Sequence, residues 1–296
     1  MPKKKSSSKS KSKALSRSIT VTANPNTFAR MREERPDRLN VLSEGDSWFA
    51  YPPKWVFNSK PANLIDYISS WTGSKANFMR MESNGDEAVD MVSGAQKHEL
   101  VEVMRWHETS TKGRPIDLLL FSGGGNDLVG ENDFERFLRP YQQGFSAKQC
   151  VNMARLRRKG AQIGLALQEL ADIRDHYSPK TVIMTHTYDY PYPSLTGGVF
   201  LGGLIKTKGW MKRFMDDPKV KIPAKLQADV IKIFMDEVGK AMREVSKERQ
   251  RFIVVDTVKT LKGEKAWLNE IHPTKTGFHK LASKIWAEMK AKFPAL

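Results

Sequence analysis

Ser47 has the surroundings of a nucleophile in an acyl-transfer reaction. It lies in a Gly-Asp-Ser sequence directly after Asn40–Ser43, a short segment predicted to be a strand. A serine at the end of a strand can present its hydroxyl to a substrate, with main-chain N–H groups nearby to receive a negative oxygen. Taken alone, Gly-Asp-Ser is a weak signal, because a serine after an aspartate is usually part of a turn or a helix cap.

Two glycine-containing segments offer hydrogen-bond donors for such an oxygen. Gly85 follows Phe78–Met81, and a glycine there lets the main chain approach a ligand closely. Asn126 ends a Ser-Gly-Gly-Gly-Asn sequence after the strongest apolar run, Ile116–Ser122, and its amide is a donor. The second segment lacks the Lys-Ser/Thr of a nucleotide-binding P-loop. Considered singly, each segment is equally well an ordinary turn between a strand and a helix.

A histidine near the C-terminus offers the base that such a serine needs. His272 lies in Asn-Glu-Ile-His-Pro, after the predicted strand Phe252–Val255, and Pro273 favours an extended backbone at this position. A single loop histidine is more often a surface residue than a catalyst. A catalytic role for His272 is favoured only when it is considered together with the three segments that precede it.

The order of the four segments is more specific than any one of them. Ser, Gly and Asn follow the first three predicted strands and His follows the fifth, which resembles the SGNH, or GDSL, family of esterases and lipases over residues 40–128 and 252–290. The resemblance implies that Ser47 is the nucleophile and His272 the general base. It further implies an oxyanion hole made by the Ser47 N–H, the Gly85 N–H and the Asn126 side chain. The implied substrate is an ester of a lipid, a thiol or an acetylated sugar, with no cofactor and no metal.

One position departs from the family pattern. The family usually has Asp-x-x-His, and this chain has Asn269 where the aspartate would stand. In serine proteases this change costs about 10⁴ in kcat, because the wrong imidazole tautomer is favoured. Three interpretations stay open: Asn269 orients His272 without a charge, Glu270 or Asp256 supplies the carboxylate, or the protein is slow or inactive. The first is preferred slightly, because residues three apart in a turn can face the same way.

An aromatic segment after the fourth predicted strand borders the same edge. Tyr188 and Asp189 lie in Thr-His-Thr-Tyr-Asp-Tyr-Pro-Tyr-Pro, directly after Thr181–His186. Loops at strand ends carry many binding residues, so these two side chains are candidates for the lining of a substrate pocket. A rigid loop that packs under neighbouring chain explains the segment equally well.

The alternation of short apolar runs with helical segments predicts the fold. It indicates a three-layer α/β/α sandwich with a central parallel sheet of about five strands, the flavodoxin-like fold that the resemblance also implies. The fourth and fifth strands are separated by a long interval, which predicts an insertion around 191–223 that covers the site. The predicted strands are Asn40–Ser43, Phe78–Met81, Ile116–Ser122, Thr181–His186 and Phe252–Val255, and the predicted helices are Pro61–Trp71, Lys97–His107, Gln149–Arg174, Lys225–Gln250 and Lys275–Lys292.

The first 36 residues have a different composition from the rest. Nine basic residues precede Glu33, the first acidic one, so residues 1–36 are predicted to be a disordered arm and residues 37–296 the folded domain. The arm either aids solubility or makes a weak electrostatic contact with nucleic acid or anionic lipid. A binding protein that uses this arm, with little or no catalysis, is therefore the alternative to an esterase.

Bulk properties exclude several other classes. The chain has 296 residues, a formal charge of +16 and 40% hydrophobic residues, which is enough for a large core. It contains no apolar run near the ~20 residues of a membrane span, and its basic N-terminus lacks the apolar segment of a secretory signal. Its single cysteine, Cys150, is predicted to be a core residue. These features favour a cytoplasmic location. A metal-dependent phosphoesterase is disfavoured, because no histidine accompanies Gly-Asp or Gly-x-Asn-Asp.

Overall fold

Parallel strands form the centre of the molecule in the computed structural model, which describes residues 19–52, 60–109, 114–129, 133–200 and 205–296. The main sheet has six strands in the order β1-β3-β2-β4-β5-β8, and β6 and β7 form a separate antiparallel pair. The strands of the described residues are β1 (Val21–Thr22), β2 (Leu39–Gly45), β3 (Ala76–Arg80), β4 (Leu118–Ser122), β5 (Val182–His186), β6 (Thr196–Phe200), β7 (Ile205–Lys208) and β8 (Phe252–Val255).

The sheet confirms the predicted fold class. Without the two-residue edge strand β1, the five long strands follow the order 2-1-3-4-5, which is the flavodoxin-like arrangement. Every residue of β4 and β5 is buried, as expected for strands that helices cover on both faces. The carboxyl ends of β2, β3, β4, β5 and β8 all lie at one edge, so the loops that follow them share that edge.

Helices pack on the sheet in two groups. The long helix α7 contacts both α5 and α9, and α3 contacts α10. Side-chain caps set several helix starts: Asn63 accepts from Asp66 N at 2.9 Å, so α3 begins three residues after the predicted Pro61. The helices are α1 (Pro25–Glu34), α2 (Ser47–Ala50), α3 (Leu64–Thr72), α4 (Ala88–Met91), α5 (Gly94–Thr109), α6 (Asn126–Val129), α7 (Met153–Tyr177), α8 (Lys212–Met215), α9 (Ala224–Glu248) and α10 (Lys275–Lys292).

The prediction of a disordered arm over residues 1–36 is wrong for its second half, while residues 1–18 lie outside the described residues. β1 pairs with β3, and α1 buries Phe28 and Met31. The guanidinium of Arg32 is also buried, where it donates to Val103 O at 3.2 Å and lies over the Trp106 ring. These contacts bury enough surface to order a segment whose polar composition argued against folding.

The insertion around 191–223 contains the β6–β7 hairpin and α8. It is anchored to the core by four buried apolar side chains: Met211, Met215, Val220 and Ile222.

Cys150 is fully buried, which confirms its prediction as a core residue. Within the described parts of the chain, no helix combines the length and the apolar character that a membrane crossing requires.

Candidate active site

Ser47 is the first residue of α2, at the carboxyl edge of the sheet. The turn before it is tight: β2 ends at Gly45, where a Cβ atom would lie 2.8 Å from Ser122 O of the neighbouring strand β4. Asp46 then caps α2, because its carboxylate accepts from Trp48 N at 3.0 Å. The glycine and the cap together turn the chain sharply and place Ser47 just beyond the carboxyl end of β2.

Ser47, His272 and Asn269 form a continuous hydrogen-bonded chain. Ser47 Oγ lies 2.8 Å from His272 Nε2, and His272 Nδ1 lies 3.0 Å from Asn269 Oδ1. The loop that carries His272 is tied to the serine turn, because Trp48 Nε1 donates to Ile271 O at 3.0 Å. The fold thus brings together three of the residues that the sequence motifs singled out.

The surroundings of Asn269 determine the imidazole tautomer. Asn269 Oδ1 also accepts from the main-chain N–H groups of Ile271, at 3.2 Å, and His272, at 2.9 Å. Main-chain N–H groups only donate, so the amide oxygen, and not the amide nitrogen, faces this side. His272 Nδ1 must therefore carry the proton, and Nε2 presents its lone pair to the Ser47 hydroxyl. This is the tautomer that a general base needs.

His272 sits in a dry, aromatic environment. Its side chain packs against the rings of Tyr51 and Trp210, with centroids 4.4 Å and 5.8 Å away. Burial lowers the pKa of His272 to about 3, because the charged imidazolium is poorly solvated there. At neutral pH the imidazole is uncharged and able to take a proton. No hydrogen bond within the described part of the chain joins His272 to a carboxylate that would stabilise its charged form.

Gly85 and Asn126 belong to two loops that are joined by hydrogen bonds. Gly85 has a φ of +91°, in the region that favours glycine. Asn126 Nδ2 donates to Asp86 O at 3.0 Å, and Asp127 Oδ2 accepts from Ala88 N at 2.8 Å. These two bonds fix the Gly85 loop against the start of α6. Asn126 keeps a second amide hydrogen that can be directed at a ligand.

The two alternative carboxylates do not meet His272. Glu270 is buried, and it accepts from the main-chain N–H groups of Ser194, Met211 and Lys212 at 3.4, 2.8 and 2.7 Å. Asp256 is exposed and accepts from Thr187 Oγ1 at 3.1 Å. The interpretation that Glu270 or Asp256 orients His272 is therefore not supported. Glu270 instead holds the insertion against the histidine loop.

The two residues of the aromatic segment have different roles. The Asp189 carboxylate accepts from Lys259 N at 2.8 Å and Leu261 N at 2.6 Å, so it organises the loop after β8, and it is not among the residues that line the small cavity beside Ser47. Tyr188 lies at the site: its hydroxyl donates to Asp46, and its ring packs against Gly125.

A buried polar cluster beneath Ser47 was not predicted from the sequence. Ser122 Oγ lies 2.8 Å from Asp46 Oδ1, 3.1 Å from His186 Nε2 and 3.2 Å from the Tyr188 hydroxyl. We call these four residues the inner cluster. Part of the signal lay in the sequence, because Asp46 belongs to the Gly-Asp-Ser segment and Tyr188 was itself a candidate for the pocket lining. Only the pairing of β4 with β5 brings Ser122 to His186.

A small cavity opens beside Ser47. Its volume is about 20 Å³, and Ser47 and Asn126 both line it. Among the residues that the structure describes, no group of three or more His, Cys, Asp or Glu side chains could hold a metal ion.

Comparison with known proteins reveals a likeness of fold. No protein-family model matches the chain, and neither does any curated protein. Among solved structures, an extracellular lipase from Streptomyces rimosus is 16% identical over 85% of this chain and 99% of its own, with a TM-score of 0.51. Phospholipase A1 from Streptomyces albidoflavus NA297 is 14% identical over 86% and 99%, with a TM-score of 0.50. At these identities the likeness establishes the α/β/α architecture alone.

Proposed function

We propose that this protein hydrolyses carboxylic esters through a covalent acyl-serine intermediate on Ser47. The observation that carries the proposal is the chain of hydrogen bonds from Ser47 through His272 to Asn269. The fold likeness agrees with it, because both solved structures compared above are named as enzymes that act on esters.

The reaction follows from the positions of these groups. Ser47 Oγ attacks the carbonyl carbon while its proton moves to His272 Nε2. The negative oxygen of the tetrahedral intermediate is received by the Ser47 N–H, the Gly85 N–H and the Asn126 amide. The bond to the alcohol oxygen then breaks, and the alcohol leaves with the proton from His272. Water completes the cycle: it gives a proton to His272, attacks the acyl-serine, and releases the acid as Ser47 regains its proton.

The absence of a charge on Asn269 determines the turnover rate that we expect. Asn269 holds the imidazole in the correct tautomer, but it has no negative charge to stabilise the imidazolium that forms during attack. In serine proteases, part of the loss in kcat arises because asparagine favours the wrong imidazole tautomer. That loss does not apply here, because two main-chain N–H groups hold the Asn269 amide with its oxygen towards His272. We therefore expect an active enzyme whose turnover is below that of a related enzyme with aspartate.

Labelling with a fluorophosphonate tests the proposal. The reagent should modify Ser47 of the full chain, as read by peptide mass spectrometry, and Ser47→Ala should abolish labelling. Ser122→Ala is the matched control, because Ser122 also hydrogen-bonds a histidine but is fully buried. This variant should still be labelled. Modification at Ser122, or a folded protein that is neither labelled nor active on small esters, would contradict the proposal.

A further inference from the structure

The cavity beside Ser47 has walls that belong to six different segments. Ser47 and Asn126 are among its lining residues, and the attacked carbonyl group must lie against them. Most of the remaining lining is apolar. It includes Val129 of α6, Tyr188 after β5, Pro191 of the insertion, Met235 of α9 and Ile271 of the histidine loop. A group bonded to the carbonyl carbon would enter this apolar space.

The cavity is too small for an acyl chain. Its volume of about 20 Å³ compares with the roughly 10–15 Å³ that one water molecule needs. A methyl group is of similar size to a water molecule, and the apolar walls suit it better than they suit water. A chain of several carbons would fit only by displacing the lining side chains or by leaving the cavity through its open side, and packed side chains resist such displacement.

Hydrogen bonds and close packing fix the size of the cavity. The Tyr188 hydroxyl donates to Asp46 and lies 3.2 Å from Ser122 Oγ, so the ring cannot swing aside without breaking these contacts. The ring also lies against Gly125, where a Cβ atom would be 3.0 Å from it. Val129 and Met235 are 5% and 3% exposed, so they too are held by their neighbours.

We propose that the substrate is an ester of acetic acid, whose methyl group occupies this cavity while the alcohol lies outside it. The inference rests on the proposed function and names the acyl part of its substrate. The inner cluster contributes to specificity by holding Tyr188 as a wall. Met235 and Val129 limit the length of the acyl group.

A series of p-nitrophenyl esters tests the inference. The rate of Ser47→Ala is subtracted for each ester, since these compounds also react without catalysis. We expect kcat/KM to fall at least about tenfold from acetate to butyrate, and further to octanoate, since one methylene already discriminates by about 10–200-fold in a tight apolar pocket. Equal values, or a rise with chain length, would overturn the inference. If Ser47→Ala abolishes that turnover, the proposed function still stands.

Variants of the wall test which residues set the limit. Met235→Ala enlarges the cavity and should raise the butyrate-to-acetate ratio of kcat/KM at least about tenfold. Met242→Ala is the matched control: the same substitution in α9 at a fully buried residue that does not line the cavity, so the ratio should not change. Val129→Ala is a second enlarging variant for use if Met235→Ala does not fold. An unchanged ratio in the folded variant would overturn the inference. A wild-type protein that hydrolyses no ester and takes no fluorophosphonate would instead contradict the proposed function.

Discussion

Two serine–histidine pairs lie side by side at the carboxyl edge of the sheet. Ser47 lies 2.8 Å from His272 Nε2, and Ser122 lies 3.1 Å from His186 Nε2. Trp48 separates them, because it stacks on the His186 ring with centroids 5.5 Å apart and donates to the loop of His272. The two pairs are alike in distance and burial, so a serine–histidine hydrogen bond by itself does not identify a nucleophile.

The pairs differ in how their protons are distributed. His186 Nδ1 lies 3.1 Å from the Thr187 carbonyl, which only accepts, so Nε2 has to accept from Ser122. Ser122 therefore has one proton for two acceptors, His186 Nε2 and Asp46 Oδ1. Burial raises the pKa of Asp46 to about 6, so the protonated acid, which relieves this conflict, predominates only below that pH. In the Ser47 pair, by contrast, each proton has one acceptor.

The pairs differ also in the space around the serine. Ser47 lines a cavity, and no hydrogen bond found among the described residues uses its N–H group. Ser122 is fully buried in the last position of β4, and Asp46 N donates to its carbonyl at 2.9 Å. A nucleophile needs room for a substrate and free donors for the oxyanion. Ser47 has both, whereas Ser122 serves to hold the turn that carries Ser47.

Replacing each histidine in turn should separate the two roles most strongly. His272→Gln removes the base and should lower kcat of the folded variant by about 10⁴–10⁶. His186→Gln should keep kcat within about tenfold but lower the free energy of unfolding by about 1–3 kcal/mol, since it disturbs a buried polar network. Ester hydrolysis and urea titration measure the two effects. A large loss of kcat in folded His186→Gln would show that the inner cluster takes part in catalysis.

The oxyanion donors should give a smaller effect. Asn126→Ala removes one donor and should lower kcat by about 10²–10³. It also breaks the bond to Asp86 O, so Gln96→Ala is the matched control: Gln96 donates to Asp86 Oδ2 at 2.8 Å without reaching the site. That variant should retain nearly full kcat. If both variants lose activity equally, Asn126 acts only by holding the Gly85 loop.

The sequence was sufficient to predict which strand ends carry the site, since parallel strands place their carboxyl ends at one edge. Ser47, Gly85, Asn126 and His272 all follow such ends. The inner cluster could not be predicted from the sequence, because the contact of Ser122 with His186 depends on β4 lying beside β5. Sequence order alone does not state which strands are neighbours.

Two other predictions failed because they concerned residues whose environment depends on tertiary contacts. Glu270 lies next to the site in the sequence, but its partners are main-chain N–H groups of the insertion, from residues about 60 positions away. The segment Val21–Glu34 has a polar composition, yet the edge of β3 and the Trp106 ring supply partners for it. In both cases a local pattern could not reveal a distant donor or a free sheet edge.

The smallest expected change concerns the charge beside His272. In Asn269→Asp the carboxylate would keep the bonds from Ile271 N, His272 N and His272 Nδ1, so the tautomer should be preserved. It would also stabilise the imidazolium formed during attack, and kcat should rise by about two- to tenfold. The gain is limited because the second carboxylate oxygen would be buried where the amide NH₂ now lies.

The pH profile of Asn269→Asp distinguishes a charge effect from a packing effect. His272 acts as a base only when neutral, and burial holds its pKa at about 3, so in the wild type its protonation should not limit kcat/KM above about pH 5. A neighbouring carboxylate raises the pKa of His272, so in the variant activity should begin to fall at a higher pH as the solution is acidified.

Asn269→Ala is the companion variant, and it should lose activity without this shift. Wild-type activity in Asn269→Ala would show that Asn269 does not orient His272, and an unshifted acid limb in Asn269→Asp would show that the new charge does not reach the imidazole.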